Sequence, residues 1–286
     1  MKPLSSNMQH FFKMQGSGND FILWDNTALQ LPRESMSIWA KTLCPRGFAI
    51  GADGMIFLEP SGLPDFDFIW HFFNADGSRA EMCGNGSRCA ARLAYRLGLA
   101  GKEQVFGTDA GAIRAQVKDK GKVRVQLTSA DNLQLHNLLN FVEDPPVNVH
   151  SVNTGVPHAV VICDDVQKVN VLGLGRQIRM HQDFSPAGTN VNFIQIKDRG
   201  HIFLRTFERG VENETFACGT GAAASVVVAA ALGLCADSVQ VITSGKELLN
   251  IELQDDSIFL TGKADFIYQG MVFLDTFGLD VPKSKS

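Results

Sequence analysis

Two cysteine-glycine turns, one in each half of the chain, constrain its fold more than any other feature. The motif Cys-Gly-Asn-Gly occupies residues 83–86, and Cys-Gly-Thr-Gly occupies residues 218–221. An alanine-rich stretch follows each turn, so each cysteine is expected where a loop enters a helix. Free backbone N–H groups and the positive end of the helix dipole lie at that point and favour ionisation of a thiol. The pattern therefore predicts two activated thiols, one per half.

The spacing of other residues around the two turns is also repeated. Asn74 lies nine residues before Cys83, and Arg209 lies nine residues before Cys218. A glycine-containing turn precedes each cysteine as well, by 65 residues in the first half and 63 in the second. We interpret the repeat as an internal duplication, with chance similarity between glycine-rich loops as the alternative. Two pseudo-symmetric domains would place the two cysteines across a shared cleft.

Composition excludes several classes of function. The chain has 286 residues, enough for two ordinary domains, and is 45% hydrophobic and 20% charged, as soluble globular proteins are. A net charge of -4 with scattered lysines and arginines offers no basic surface for nucleic acid or an anionic membrane. The first residues contain no apolar signal core, and the most apolar stretch, 222–234, is too short to span a bilayer. We therefore expect a cytoplasmic protein with neither nucleic-acid nor membrane partners.

The cysteines do not follow a disulfide or zinc pattern. No C-x-x-C and no paired cysteine/histidine spacing occurs, so we expect no structural disulfide and no bound metal. Four cysteines outside the two turns are interpreted as buried structural residues: Cys44, Cys89, Cys163 and Cys235. The sequence also lacks a pyridoxal-phosphate lysine motif and a nucleotide-binding loop, so we expect no cofactor.

Short runs of β-branched and aromatic residues, separated by turns, predict a mostly antiparallel sheet structure. The predicted strands are 21–24, 54–58, 66–73, 123–127, 159–162, 191–196, 201–207, 239–242, 251–253 and 257–260. The predicted helices are 33–43, 86–97, 166–179 and 220–232. Gly173 and Gly175 are expected to interrupt the third helix. The fourth helix is apolar on all sides and is therefore expected to be buried.

These elements predict an α+β fold of two pseudo-symmetric domains, each a mostly antiparallel sheet wrapped around a central helix. Residues 1–128 are expected to form the N-terminal domain, with the C-terminal segment 268–286 packing back on it. Residues 129–267 are expected to form the C-terminal domain.

Two activated thiols suit the inversion of an amino-acid α-carbon. That reaction removes a weakly acidic proton from one face and returns a proton to the opposite face. One group acts as base and the other as acid, and the roles exchange in the reverse direction. Cys83 and Cys218 are the predicted pair. N–H groups at the two helix starts are predicted to hold the α-carboxylate as negative charge develops on it.

Several polar residues are candidates to assist. His158 and Glu208 are the candidates to help proton movement at the thiols, with a satisfied structural histidine and a solvated Glu208–Arg209 ion pair as the competing interpretations. Arg209 also has the geometry to bind a substrate carboxylate in a bidentate manner. Three asparagines are either site residues or ordinary turn residues: Asn19, Asn74 and Asn190.

Four ordered motifs resemble those of the diaminopimelate epimerase family. They are GSGNDF at 16–21, FNADGS at 73–78, EMCGNGSRC at 81–89, and ERG at 208–210 followed by ACGTG at 217–221. In the related proline racemases the first cysteine motif resembles Cys-Gly-His-Gly, and Asn85 stands in the place of that histidine. This favours the diaminopimelate branch of the fold.

The resemblance implies a cofactor-independent enzyme that converts LL-2,6-diaminopimelate to the meso form for lysine and peptidoglycan synthesis. It implies two pseudo-symmetric α/β domains, a small-molecule amino-acid substrate and a homodimer. Cys83 and Cys218 match the family's acid/base pair, and His158 matches a histidine near the thiols. The matches to substrate-binding positions are Asn19, Asn74, Asn190, Glu208 and Arg209, and the matches to the α-carboxylate cradle are Gly84, Asn85, Gly219 and Thr220.

Two positions depart from the family pattern. The second-half turn usually reads Gly-Asn-Pro-His, but Val156 replaces the asparagine here. Many members carry glutamine where this chain has Gly54. Loss of polar contacts normally relaxes the rejection of analogues, so a broader amino-acid racemase that also accepts glutamate is the alternative function. Two further classes compete with an epimerase: a thiol redox protein with a regulatory Cys83–Cys218 disulfide, and a non-enzymatic binding protein.

Overall fold

A computed structural model describes residues 7–142 and 144–281. The chain folds as two compact units. The first unit contains the residues up to Val125 together with those from Lys263 onward, and the second runs from Gln126 to Gly262. The last five residues of the predicted C-terminal segment, 282–286, lie outside the described residues, as do the first six of the predicted N-terminal domain.

Strands make up most of the regular structure. In chain order they are β1 (Met8–Gly16), β2 (Asn19–Asp25), β3 (Gly54–Pro60), β4 (Phe68–Asn74), β5 (Glu103–Thr108), β6 (Gly111–Val117), β7 (Lys122–Leu127), β8 (Asp131–Leu139), β9 (Val147–Asn153), β10 (Pro157–Ile162), β11 (Asn190–Asp198), β12 (His201–Glu208), β13 (Asn213–Thr215), β14 (Ser238–Thr243), β15 (Leu248–Gln254), β16 (Ser257–Lys263) and β17 (Asp265–Phe273). The α-helices are α1 (Asn26–Leu29), α2 (Arg33–Leu43), α3 (Gly84–Leu97), α4 (Val171–Arg179) and α5 (Gly219–Ala231).

In the first unit, strands surround the helix α3. Strand β1 lies between β17 and β2 and is antiparallel to both. Strand β2 runs parallel to β3, β3 antiparallel to β4, and β4 parallel to β5, after which β5, β6 and β7 form an antiparallel ladder. Helix α3 connects β4 to β5 and contacts β1, β2, β3 and β6. It ends at Gly98, whose φ of 76° is the left-handed conformation that glycine adopts without steric cost.

In the second unit, strands surround the helix α5 in the same way. Strand β9 lies between β8 and β10 and is antiparallel to both. Strand β10 runs parallel to β11, β11 antiparallel to β12, and β12 parallel to β14, after which β14, β15 and β16 form an antiparallel ladder. Helix α5 connects β12 to β14 through the short strand β13 and contacts β9, β10, β11, β12 and β15. Its small apolar residues are buried on nearly every side, as expected for a helix without a polar face.

The two units therefore share one pattern of strand connections. The series β1 to β7 corresponds to β9, β10, β11, β12, β14, β15 and β16, with parallel pairs at the same two places. The central helix follows the fourth strand of each series. The predicted α+β fold, with a mostly antiparallel sheet around a central helix in each half, is confirmed.

Some local predictions were wrong. The helix predicted over 166–179 begins only at Val171, after a short 3-10 turn at Val166–Lys168, and it continues through both glycines. Gly175 packs within van der Waals distance of the Phe207 side chain, so the glycine provides close helix–strand approach there and does not break the helix. Cys163 is only partly buried, at the end of β10, whereas the other three structural cysteines are buried as predicted.

Candidate active site

Cys83 and Cys218 are the N-cap residues of α3 and α5. The Sγ atom of Cys83 accepts a hydrogen bond from the backbone N–H of Gly86 at 3.5 Å, and that of Cys218 accepts one from Gly221 at 3.4 Å. Both cysteines have extended backbone, with φ of -149° and -123°. Each sulfur thus occupies the place of the oxygen that usually caps a helix. The N–H groups and the dipole of the helix stabilise negative charge on a sulfur in this position.

A chain of amide hydrogen bonds surrounds the first cysteine turn. Asn85 donates from Nδ2 to Oδ1 of Asn19 at 2.6 Å, and Asn19 donates in turn to the Asp53 carboxylate at 3.2 Å. The buried guanidinium of Arg88 donates to Oδ1 of Asn85 at 3.0 Å and also to the Ser17 hydroxyl. These contacts fix the orientation of two predicted site residues, Asn19 and Asn85, relative to the start of α3.

Asn74 lies at the same edge of the first sheet. It is exposed at the end of β4, opposite Gly54 in the β3–β4 ladder, and Gly54 is itself opposite Phe21 of β2. Its side chain donates to the Ser78 hydroxyl at 3.0 Å. A Cβ atom at Gly54 would lie 2.7 Å from the Phe72 ring and 2.8 Å from a backbone oxygen. The packing of this chain therefore requires glycine at position 54.

His158 lies on β10 and is 1% exposed. Its Nδ1 atom is 3.1 Å from Nδ2 of Asn192. Burial, and to a smaller extent the charge of Arg209, lowers the pKa of the His158 imidazole to about 3. The imidazole is therefore neutral at physiological pH.

Asn190 joins the backbones on either side of it. It is opposite His158 in the parallel β10–β11 pair, donates to the Pro157 carbonyl at 3.1 Å and accepts from the Arg209 backbone N–H at 2.9 Å. The guanidinium of Arg209 donates to the Ala187 carbonyl at 3.1 Å. The amide of Asn190 thus links the backbone of Arg209 to that of Pro157, the residue before His158.

Glu208 is the last residue of β12. Val191 and Phe207 are paired in the β11–β12 ladder, so Glu208 is next to Asn190 at the edge of the sheet. Burial raises the pKa of the Glu208 carboxyl, and the Thr215 hydroxyl partly offsets this effect. No ion pair joins Glu208 to Arg209 among those found in the described residues, so the interpretation as a solvated pair receives no support there.

The second cysteine turn is held by the hairpin turn between β9 and β10. The buried Thr154 hydroxyl donates to the Thr220 carbonyl at 3.0 Å, and the Thr220 hydroxyl is 3.5 Å from Sγ of Cys218. Gly219 opens α5 directly after the cysteine. Gly219 and Thr220, two of the predicted cradle residues, therefore lie at the start of α5.

The strand registers bring the predicted residues to equivalent ends of the two sheets. In the first unit these are the starts of β2 and β3, the end of β4 and the start of α3. In the second they are the starts of β10 and β11, the end of β12 and the start of α5. The sequence analysis missed Asn192 and Thr206, which are buried beneath α5, although Asn192 follows Asn190 by two positions and so lies on the same face of β11.

The described residues contain neither a metal-binding cluster nor a membrane-spanning helix. No group of three or more His, Cys, Asp or Glu side chains among them has the arrangement of a metal site. None of the helices they form is both long enough and apolar enough to cross a membrane.

Comparison with known proteins gives a consistent result. Residues 11–133 and 150–267 match the diaminopimelate epimerase family. The diaminopimelate epimerases of Hydrogenobaculum sp. (strain Y04AAS1) and Aquifex aeolicus are each 45% identical to this chain, over 93% and 91% of its length and 99% and 96% of theirs. A solved structure of the Bacillus anthracis phenazine biosynthesis protein of the PhzF family has the same fold, with a TM-score of 0.70 at 15% identity over 93% of this chain and 99% of that one. The chain belongs to the diaminopimelate epimerase family.

Proposed function

We propose that this protein is a diaminopimelate epimerase, which converts LL-2,6-diaminopimelate to meso-2,6-diaminopimelate without a cofactor. The observation that carries the mechanism is that two thiols cap two central helices at equivalent positions of a duplicated fold. A base on one face of the carbon and an acid on the other achieve inversion without moving the substrate, and the two groups exchange roles in the reverse reaction. One thiolate removes the α-proton and the other thiol returns a proton to the opposite face.

The helix starts also support stabilisation of the carbanion. Removal of the α-proton places negative charge on the α-carboxylate, and N–H groups at a helix start stabilise such charge. The turns at Gly84-Asn85 and Gly219-Thr220 supply these groups. Arg209 and the asparagines Asn19, Asn74 and Asn190 are proposed to hold the remaining polar groups of the substrate.

His158 and Glu208 are proposed to move protons to and from the thiols. His158 is buried and Glu208 is partly buried, and the resulting pKa shifts keep the His158 imidazole neutral and make the Glu208 carboxyl easier to protonate than an exposed one. A neutral imidazole donates a hydrogen bond to a thiolate without carrying a charge itself, and a carboxyl with a raised pKa takes up and returns a proton closer to neutral pH than an exposed carboxyl does.

Exchange of the α-proton in deuterium oxide tests the proposal. Wild type, Cys83→Ala and Cys218→Ala are incubated under reductant with LL-diaminopimelate, and both deuterium uptake and the meso product are measured. We expect each substitution to lower epimerisation by about 10²–10⁴-fold, the usual contribution of a general acid or base. Cys89→Ala is the matched control, because Cys89 is buried inside α3 and burial raises its pKa to about 12. Full activity of either turn variant would refute the two-thiol mechanism.

The same assay, run on a panel of amino acids, decides the breadth of substrate. Val156 removes one amide from the second-half turn, which favours some exchange with glutamate. Exchange confined to diaminopimelate would exclude the broader racemase. A cytoplasmic location and a homodimer complete the proposal, and light scattering of the purified protein tests the dimer.

A further inference from the structure

A buried polar network lies between His158 and the start of α5. Asn192 is fully buried, and its Nδ2 atom donates to the Ala159 carbonyl at 3.1 Å and lies 3.1 Å from Nδ1 of His158. Its Oδ1 atom accepts from the Thr206 hydroxyl at 3.0 Å. The same Oδ1 atom lies directly against Gly221, whose N–H donates to the Cys218 sulfur.

The Ala159 carbonyl fixes the orientation of the Asn192 amide. A carbonyl oxygen only accepts, so the amide atom beside it must be the NH₂ group. The second hydrogen of that NH₂ group then points at Nδ1 of His158. A neutral imidazole has one donor and one acceptor nitrogen, so Nδ1 is the acceptor and Nε2 carries the proton. Within the described residues, the buried Nε2 atom has no hydrogen-bond partner.

The first unit shows that the fold does not require polar residues here. Strand register places Ile56 and Phe72 opposite each other in β3 and β4, as Asn192 and Thr206 are in β11 and β12. Ile56 lies beneath Gly86 of α3, as Asn192 lies beneath Gly221 of α5.

The equivalence extends to the histidine. Phe21 is opposite Gly54 at the first parallel pair of β2–β3, as His158 is opposite Asn190 in β10–β11. All three positions of this network are therefore apolar in the first unit. Buried polar groups cost stability unless they are fully hydrogen-bonded, so their presence in only one unit points to the chemistry of that unit.

We propose that Asn192 is a positioning residue that holds His158 as the Nε2–H tautomer, with Nε2 as its hydrogen-bond donor, and couples that histidine to the helix start that carries Cys218. The inference assigns a role to Asn192 in the function proposed above. Its central claim, the tautomer, is a property of the free protein and does not depend on substrate.

Nuclear magnetic resonance of the imidazole nitrogens measures the tautomer. The full chain is labelled with ¹⁵N-histidine, and the His158 signals are assigned by their loss in His158→Gln. We expect wild type at pH 7.5 to show a protonated Nε2 and an unprotonated Nδ1. A proton on Nδ1 of His158 in wild type would overturn the proposal without any variant having to fold.

Three variants test the role of Asn192. Asn192→Asp places a carboxylate that only accepts against Nδ1, so the proton is expected to move to Nδ1. Asn192→Leu keeps the branched shape of the side chain and removes the donor, so both tautomers are expected. We also expect kcat to fall about 10²-fold, within the usual contribution of a general acid or base, with little change in KM. Thr206→Val is the control, because the Ala159 carbonyl still orients the amide and the wild-type tautomer is retained.

The readouts separate this proposal from the proposed function. An Asn192→Leu protein with the wild-type tautomer and unchanged kcat would overturn the positioning role even if the protein is an epimerase. A tautomer shift in Asn192→Asp would support the positioning of His158 even if diaminopimelate were not the substrate.

Discussion

The two cysteine turns have the same backbone and different surroundings. Both sulfurs cap a central helix and accept an N–H three residues on. Around Cys83 the neighbouring strand ends carry Phe21 and Asn74, neither of which titrates near neutral pH. Around Cys218 the equivalent positions carry His158 and Glu208. The internal repeat thus supplies two equivalent thiol positions, whereas ionisable side chains occupy these two neighbouring strand positions in the second unit only.

The pH dependence of stability should reveal His158 most strongly. Its pKa falls from 6.5 to about 3 on folding, so between these values the unfolded chain binds a proton that the folded chain does not. As pH falls through this range, wild type should lose about 1.4 kcal/mol of unfolding free energy per pH unit relative to His158→Gln. Above pH 6.5 the imidazole is neutral in both the folded and the unfolded chain, so it no longer makes stability depend on pH. Urea unfolding at about pH 7.5 and about pH 4.5, on either side of the unfolded pKa, measures the difference.

His10→Gln provides the control for that measurement, since His10 is exposed on β1. Its stability should follow that of wild type at both pH values. If the unfolding free energies of wild type and His158→Gln changed equally between the two pH values, the buried imidazole would be protonated in the folded state at the lower pH. That result would contradict its assignment as a neutral hydrogen-bond donor.

Adding a methyl group beneath each turn should affect the two units unequally. In Gly221→Ala the new Cβ overlaps the Asn192 amide, which is buried and bonded on all sides. In Gly86→Ala it meets the flexible end of Ile56 at 3.2 Å. We expect Gly221→Ala to lower kcat about 10²-fold, since a displacement of about 1 Å at a reacting group has effects of this size. Gly86→Ala should lower it by less than about threefold, and equal losses would show that the network under α5 is no more rigid than its apolar counterpart.

Much of the fold was predictable from local patterns. The glycine after each alanine-rich stretch and the apolar character of residues 220–232 located the two central helices to within two residues. Two strands, β8 and β17, show little alternation of apolar and polar residues. The residues of β8 are mostly exposed, and β17 pairs with β1, which lies near the other end of the chain. Their existence depends on long-range pairing, which a local pattern does not encode.

The candidate site was predictable where chemistry leaves a motif. Cysteine next to glycine before a helix identified Cys83 and Cys218 directly. Asn192 and Thr206 gave no such signal, because a buried polar residue on a strand looks like any solvent-facing residue until the opposite strand is known. The register of β11 against β12 is what places them together.

Glu208 should produce a smaller pH effect of opposite sign. Burial raises the pKa of its carboxyl on folding, so its contribution to stability is present below its unfolded pKa and is lost as pH rises through the folded pKa. Glu208→Gln should therefore gain stability relative to wild type between about pH 4 and about pH 7.5. Glu212→Gln should show the reverse, because the hydrogen bond from the Gly210 N–H lowers the pKa of the Glu212 carboxyl. Urea unfolding at the two pH values measures how the stability of each variant changes relative to wild type. If the difference between Glu208→Gln and wild type were the same at both pH values, the pKa of Glu208 would not be raised by burial.

The rates of thiol alkylation should show the smallest difference between the two turns. Cys218 is 8% exposed, whereas Cys83 is only partly buried, and both sulfurs lie at the same kind of helix start. Reaction with iodoacetamide depends on access as well as on ionisation, so Cys83 should be modified several-fold faster than Cys218. Cys89, which is 0% exposed, should remain unmodified while the protein is folded. Mass spectrometry of the modified peptides over time gives the three rates. Because the helix starts are alike, faster alkylation of Cys218 would mean that its surroundings activate that thiol enough to outweigh its burial. The difference between the two units would then include the reactivity of the sulfurs themselves.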